Sequence, residues 1–438
     1  MTNANGGTDG GETRDIEANT GDPTLVELRR DLHAHPEAGW KEFRTTALVA
    51  AELDERGFTL HLGADAVDVD ARLGVPSDDE IAGAKARARE EGAPERYLER
   101  MGDVTGLVAE KTYGTGDGPT VGVRIDMDAL ELTESSDDDH RPAREGFVSR
   151  HPGEMHACGH DGHTTIGVGI AHELNATGGF DGHLKLFFQP AEEGGRGGVP
   201  MSKTDHLADL DHFLALHLGL DNETGKVIAA YEHPLSNAKL DVTFHGEAAH
   251  AGKAPNQGRN ALQAMTTAIG NLYAIPRHAD GATRINVGQV HSPNAQNVIA
   301  EEAKMRIEVR GETAELNDYM LSRARRIVKH ATAMHDVEFE TSLYGKTTTF
   351  TADDGMVTAV AQAAEGVEGV DTVVERAPIG ASEDASFLIE RVQEEGGVGT
   401  YVGIGASNPF GHHTSKFDID EDALKIGVDV VVETIRSL

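Results

Sequence analysis

Four short apolar runs in this chain each lead into side chains that bind metals or handle protons. Thr120 to Ile125 is followed by Asp126 and Asp128, Leu184 to Phe188 by Glu192 and Glu193, Phe213 to Leu216 by His217, and Thr400 to Ile404 by His412 and His413. The runs have the length of buried strands, and helical patterns stand between them. That alternation predicts an α/β fold. In open α/β sheets the ligand crevice lies beyond the carboxyl ends of the strands. Asp, Glu and His recur where that rule puts a site.

The run His156-Ala157-Cys158-Gly159-His160 holds the only cysteine of 438 residues and continues into Asp161-Gly162-His163. A lone cysteine is by itself an ordinary small apolar residue. Here it shares eight positions with three histidines and a carboxylate, a ligand mixture suited to a transition metal. Cys158 and His160 are two apart, so one short loop can aim both at one centre. Adjacent residues at a strand end point in different directions. Of Glu192 and Glu193, one can therefore bind metal while the other faces substrate. Gln189-Pro190-Ala191 and Gly194-Gly195 bracket the pair in a tightly specified turn. Taken singly, His217 and His413 read as packed or surface residues; jointly they complete a mixed N/O/S set. Five candidate ligands are too many for one tetrahedral zinc and suit two metals sharing a bridge.

Order is expected from Pro23 onward. Helices are predicted over Thr24 to His33, over Phe43 to Arg56, and over Thr164 to Leu174 after the Cys/His run. Ser77 to Glu99 reads as a charged helical surface excursion, interrupted at Pro94 and too poor in apolar residues for a core element. From Ser236 to Lys346 the order β-α-β-β-α-β is the split βαβ, ferredoxin-like arrangement. The α/β pattern resumes afterwards. The chain is thus read as a polar, unstructured tail over 1–22, a catalytic domain of 23–235 and 347–438, and an inserted unit of 236–346.

The formal net charge is −35, with acidic residues spread along the whole chain. Nucleic acid and anionic membrane would be repelled and are excluded as partners. A dispersed acidic surface keeps a protein soluble in high salt, where self-repulsion is screened, so salt adaptation is expected. One cysteine forms no internal disulfide, which fits a reducing, cytoplasmic setting. The N-terminus lacks the apolar core of a signal peptide, and no run is long enough to span a bilayer. There is no Gly-x-Ser-x-Gly elbow for a serine hydrolase. The Gly194 to Gly198 stretch lacks the Lys-Ser or Lys-Thr of a phosphate loop.

Asp31-Leu32-His33-Ala34-His35-Pro36-Glu37, Arg124 to Leu130, Met155 to His163 and Gln189 to Gly194 resemble the M20 metallopeptidase family. They resemble its amidohydrolase branch, which includes hippurate and indole-acetyl-amino-acid hydrolases, over Leu25 to the C-terminus. Asp70 to Pro76, Ser382 to Ala385, Gly411 to His413 and Lys416 to Asp418 draw the likeness toward the aminobenzoyl-glutamate hydrolases. The resemblance implies a zinc-peptidase-like catalytic domain with the inserted unit as lid or dimerisation domain. It implies two divalent ions, zinc or manganese with cobalt possible, on Cys158, His160, Glu193, His217 and His413. His413 is preferred to His412 because the family histidine stands four before the phenylalanine, here Phe417. Glu192 would be the general base, and Asp126, Asp128, Asp161 and His163 would orient ligands. His250 would steady the oxyanion, usually across a dimer, and Asn297 and Arg310 would bind the substrate carboxylate. The implied reaction is amide hydrolysis of N-acyl amino acids, with p-aminobenzoyl-glutamate favoured. The alternatives are a broader aminoacylase or hippurate-type hydrolase, or a catalytically silent metal-binding subunit. The chain would pair with itself or with a related subunit.

Overall fold

The computed structural model describes residues 24–438, so the expected tail over 1–22 lies outside the described residues. The first helix, Leu25–Ala34, starts by reciprocal capping. The Thr24 hydroxyl accepts from the Glu27 N–H, and the Glu27 carboxylate accepts from the Thr24 N–H. Its Leu28 and Leu32 turn inward. Ser77 and Glu80 repeat this cap for Asp78–Glu90.

Twelve strands among the described residues form two sheets. In chain order they are β1 (Thr59–Leu62), β2 (Leu107–Tyr113), β3 (Thr120–Asp126), β4 (Gly182–Gln189), β5 (His212–Leu218), β6 (Lys226–Glu232), β7 (Ser236–His245), β8 (Thr283–His291), β9 (Glu302–Gly311), β10 (Glu338–Thr347), β11 (Thr372–Pro378) and β12 (Val398–Ile404). The larger sheet runs β1-β2-β4-β3-β5-β12-β6-β11. Its central strands β4, β3, β5 and β12 are mutually parallel, so their carboxyl ends share one edge. β1, β2, β6 and β11 went unforeseen, and in β2 and β6 the cause is local. Glu110 and Lys111 break the apolar run of the first, and Ala229 and Ala230 give the second little β-propensity.

The helix His160–Thr177 is buried along most of its length against β3 and β4. A Cβ on Gly167 would lie 2.8 Å from Phe188 and 2.9 Å from Ile125, so glycine lets the helix backbone approach the sheet. The charged excursion contributes more than surface. Its helices Asp78–Glu90 and Glu95–Met101 bury Ile81, Ala84, Ala88, Tyr97, Leu98 and Met101 in the main core. Ile81, Tyr97, Leu98 and Met101 carry most of that packing, a few well-placed residues that the low overall apolar content of the segment conceals.

The smaller sheet has the order β10-β7-β9-β8 with every neighbour antiparallel, as the split βαβ arrangement requires. Ala238, Leu240, Val242 and Phe244 of β7 alternate inward with Ala303, Met305, Ile307 and Val309 of β9. The helices Ala261–Leu272 and Ala314–Met334 cover that face. The opposite face is polar and carries Lys239, Asp241, Arg306, Glu308 and Arg310. No helix of the described residues is long and apolar enough to cross a membrane.

Candidate metal centre

At the shared carboxyl edge of β3, β4, β5 and β12 the chain brings together residues far apart in sequence. Ligand atoms of Cys158, His160 and His217 lie within 4.8 Å of one another, as do those of Cys158, Glu193 and His413. The two triads share the Cys158 sulfur. Glu192 joins His160 and Glu193 in a further group. Cys158 Sγ stands 3.6 Å from His217 Nε2, and His413 Nε2 stands 3.4 Å from Glu193 Oε1.

Hydrogen bonding sets which nitrogen of each ring faces the centre. His160 Nδ1 donates to the Asp128 carbonyl at 2.8 Å, and His217 Nδ1 donates to the Leu218 carbonyl at 2.8 Å. Both rings therefore turn Nε2 toward Cys158. His163 is different. Its Nε2 accepts the Leu218 N–H and its Nδ1 donates to Asp126, so both nitrogens are committed. It orients the site and has no lone pair to offer. His412 is likewise engaged, accepting from Asn408 at Nδ1 and donating from Nε2 to the Leu218 carbonyl, which leaves His413, whose Nε2 faces Glu193, as the candidate ligand of that pair.

Local geometry departs from the expectation at two ligands. His217 lies inside β5 rather than after it. His160 opens the buried helix rather than sitting in a loop, because Gly159 takes a left-handed φ of 93° and lets the helix begin there.

The turn after β4 is fixed by three buried carboxylates. Asp128 accepts the N–H groups of Glu192 and Glu193, both at 3.0 Å. Glu42 accepts the N–H groups of Ala191 and Trp40. Asp384 accepts those of Gly197 and Gly198. Ala191 has a φ of 52°, and the Glu42 bond holds that uncommon conformation just before Glu192. Arg124, fully buried, joins Asp126, Asp384 and Gln189. Sequence reasoning assigned no role to Glu42, Arg124, Glu383 or Asp384. The Ser382 to Ala385 motif was the only available signal for the last two. Glu42 has none, since its partners are backbone groups of distant segments.

The residues fit divalent cations. Asp126, Asp128, Glu192, Glu383 and Asp384 are all buried, and the buried Arg124 guanidinium pairs with only two of them, Asp126 and Asp384, an excess of negative charge that a low-dielectric site tolerates only with added cations. His160 Nε2 and Glu193 Oε1 are buried without a hydrogen-bond partner. Burial, and then the Glu193 carboxylate, push the Cys158 thiol well above its ordinary pKa; a bound cation reverses that logic and favours the thiolate. Burial holds His217 well below the ordinary imidazole pKa, in its neutral, ligating form. Burial, and next the Glu383, Asp384 and Glu193 charges, raise Glu192 well above the usual carboxylate range.

The remaining expected residues stand on the smaller sheet and the loops beside it. His250 is exposed, and its Nδ1 accepts the N–H groups of Gly252 and Lys253, both at 3.2 Å. Its proton therefore sits on Nε2. The Asn297 carbonyl accepts the Ala251 N–H beside it. Arg310 lies on β9 and pairs with Glu308. No hydrogen bond or ion pair among the described residues joins these three to the Cys158 cluster.

Comparison with known proteins agrees with this architecture. Residues 122–437 match the model of peptidase family M20/M25/M40. Indole-3-acetyl-aspartic acid hydrolase of Enterobacter agglomerans is 44% identical over 94% of this chain and 95% of its own. One subunit of the p-aminobenzoyl-glutamate hydrolase of Escherichia coli K12 is 42% identical over the same shares. The crystal structure of an aminobenzoyl-glutamate utilization protein from Klebsiella pneumoniae superposes with a TM-score of 0.81 at 36% identity, covering 94% of this chain and 95% of that one.

Proposed function

This chain belongs to peptidase family M20/M25/M40, and from that premise we propose that it hydrolyses the amide bond of N-acyl amino acids, with p-aminobenzoyl-glutamate as the favoured substrate. The convergence of Cys158, His160, Glu193, His217 and His413 beside Glu192 carries the reading. The hydrolases of Enterobacter agglomerans and Escherichia coli, each more than 40% identical to this chain, are named for conjugates of aspartate and glutamate with aromatic acyl groups.

The five residues would hold two divalent ions, zinc or manganese with cobalt an alternative, through one thiolate, three imidazoles and one carboxylate. Such ions polarise a carbonyl and make water acidic near neutral pH. Glu192 is the general base. Its carboxylate accepts no hydrogen bond from the described residues, and the Asp128 clamp on its N–H fixes where it points. Glu192 takes a proton from water as the oxygen bonds to the amide carbon. It then delivers that proton to the amide nitrogen as the C–N bond breaks, giving carboxylate and free amine. His250, protonated at Nε2, is a donor suited to the developing oxyanion. Its exposure and its lack of any bond to the cluster favour delivery from a partner, either a second copy or a related subunit. Asn297 and Arg310 would hold the α-carboxylate.

The test is metal analysis joined to incubation with p-aminobenzoyl-glutamate and hippurate, with and without chelator. Chelator-sensitive release of the amine is expected. Bound metal with no release from either acyl-amino acid would favour a silent subunit.

A further inference from the structure

A cleft of about 800 Å³ opens from Glu193 and runs between the Arg72–Pro76 loop, the Gly194–Arg196 turn and the polar face of the smaller sheet. Its charges do not match the rest of the molecule. The chain has 74 acidic residues against 39 Lys and Arg, yet three cations gather here. Arg72, Arg196 and Lys239 nevertheless make no ion pair within the described residues.

The two arginines are held in place by other means. Arg196 is 8% exposed, donates from Nε to the Glu193 carbonyl at 2.8 Å, and lies over the Tyr344 ring. Arg72 lies over Trp40, whose indole N–H is tied to the Leu73 carbonyl, and its Nη1 is buried without a partner. Burial lowers the Arg72 pKa, since nothing nearby fully repays its desolvation. The Lys239 ammonium makes no hydrogen bond within the described residues. Its Nζ would lie 3.6 Å from a Cβ on Gly194, facing the turn that carries Glu192 and Glu193. The other anions of the cleft are already engaged. Glu131 pairs with Lys41, Glu80 caps the Ser77 helix, and Asp241 is bound at both oxygens by Arg306.

We infer that this cleft is a subsite for the side-chain carboxylate of an acidic amino acid in the substrate, read by Arg72 and Arg196 with Lys239 at its inner end. The inference rests on the amidohydrolase reading above and adds a charge requirement to it. A guanidinium pre-positioned on an aromatic face meets a carboxylate at two points with little loss of freedom. A neutral side chain leaves these desolvated cations unmatched, so discrimination arises even between isosteres. The loop that carries Arg72 is the excursion Asp70 to Pro76, which has no other assigned role.

The decisive comparison uses glutamate and glutamine conjugates of one acyl group, which share the α-carboxylate and differ only in side-chain charge. The protein should hydrolyse the glutamate conjugate with a kcat/KM roughly 100-fold higher. In Arg72→Gln and in Lys239→Met that ratio should fall at least about tenfold, with the glutamine conjugate changed less than about threefold. The ratio within one variant is independent of how much of it folds. Calorimetric titration of the same pair should give the same order of affinity without turnover. Equal handling of the two conjugates by the unaltered protein, in rate or in affinity, would overturn the subsite and leave the hydrolase reading standing. Hydrolysis of neither, with tighter binding of the glutamate conjugate, would sink the hydrolase reading and keep the subsite.

Discussion

The turn Gln189 to Gly198 and the segment around His250 each carry a candidate catalytic residue, and they are held in opposite ways. The turn is anchored by Glu42, Asp128 and Asp384, three buried carboxylates that accept six of the N–H groups in and beside it. The His250 segment is exposed and bonded only to its immediate surroundings, through Asn297 and through Ile299 to Ala249. A group that must hold one position relative to the ions is fixed by buried charge. A group that meets the substrate after it binds sits on an element free of the cluster. Fixing the first kind requires long-range contacts within the fold, whereas the second kind needs a partner or a closure to complete it.

The largest expected effect tests the rigid half. Glu192→Gln should lower kcat by about 10³–10⁴ while metal content, measured by elemental analysis, stays unchanged. Substantial residual turnover would remove Glu192 as the base. His250→Ala should lower kcat by roughly 10²–10³, again with full metal content. Mixing the two inactive variants sharpens the contrast. If His250 acts across a dimer, mixed dimers hold one intact site and regain activity. If it acts within its own chain, the mixture stays inactive.

The sequence revealed the rigid half better than the exposed one. The candidate ligands Glu193, His217 and His413 stand at or after the carboxyl ends of strands, and strand ends can be found from apolar runs and the residues that follow. The split βαβ order of the inserted unit was equally readable, because its strands alternate cleanly and its helices have one apolar face. The supporting groups were hidden. Glu42 reaches Ala191 across 149 residues and Arg124 reaches Asp384 across 260. Both make their contacts only once the sheet is assembled; Glu42 leaves no local pattern, and the Arg124 to Leu130 run does not reveal the distant partner of Arg124. The cationic cleft was hidden for the same reason, since Arg72, Arg196 and Lys239 come from three separate segments.

Behind the rigid half lies a second buried network, and its response to pH tests how much that network contributes. Glu134 accepts from His33 Nε2 at 2.9 Å and from His140 Nε2 at 2.6 Å. Burial alone would raise its pKa, but the His140 and His33 bonds outweigh it and hold the carboxyl down to about 2, against an ordinary 4.5. Against the cost of burial and the Arg29 charge, the Asp161 bond and next the Glu134 bond raise His33 above its ordinary 6.5. A depressed carboxylate stabilises the fold above its unfolded pKa and loses that contribution as pH falls through its folded value. A raised histidine does the reverse. Glu134→Gln should therefore cost roughly 2–3 kcal/mol where both are charged. The gap between the two proteins in chemical denaturation should be widest between the ordinary values of 4.5 and 6.5 and should close toward pH 2. A gap that does not change with pH would mean that packing, not charge, is what Glu134 supplies.

Salt separates the two regions most gently. The Arg29–Asp161 pair behind the metal centre has both side chains fully buried, whereas Arg310 and Glu308 on the smaller sheet are 42% and 27% exposed. Screening reaches exposed charges and leaves buried pairs almost untouched. The net charge of −35 is also a surface property, and its self-repulsion opposes folding at low ionic strength. Moving from dilute buffer to multimolar KCl should raise the melting temperature by several degrees, about 1–2 kcal/mol. The buried network should contribute nothing to that gain, so Glu134→Gln should gain as much as the unaltered protein. Equal or greater stability in dilute buffer would refute salt adaptation, because the acidic surface would then carry no net repulsion for salt to relieve.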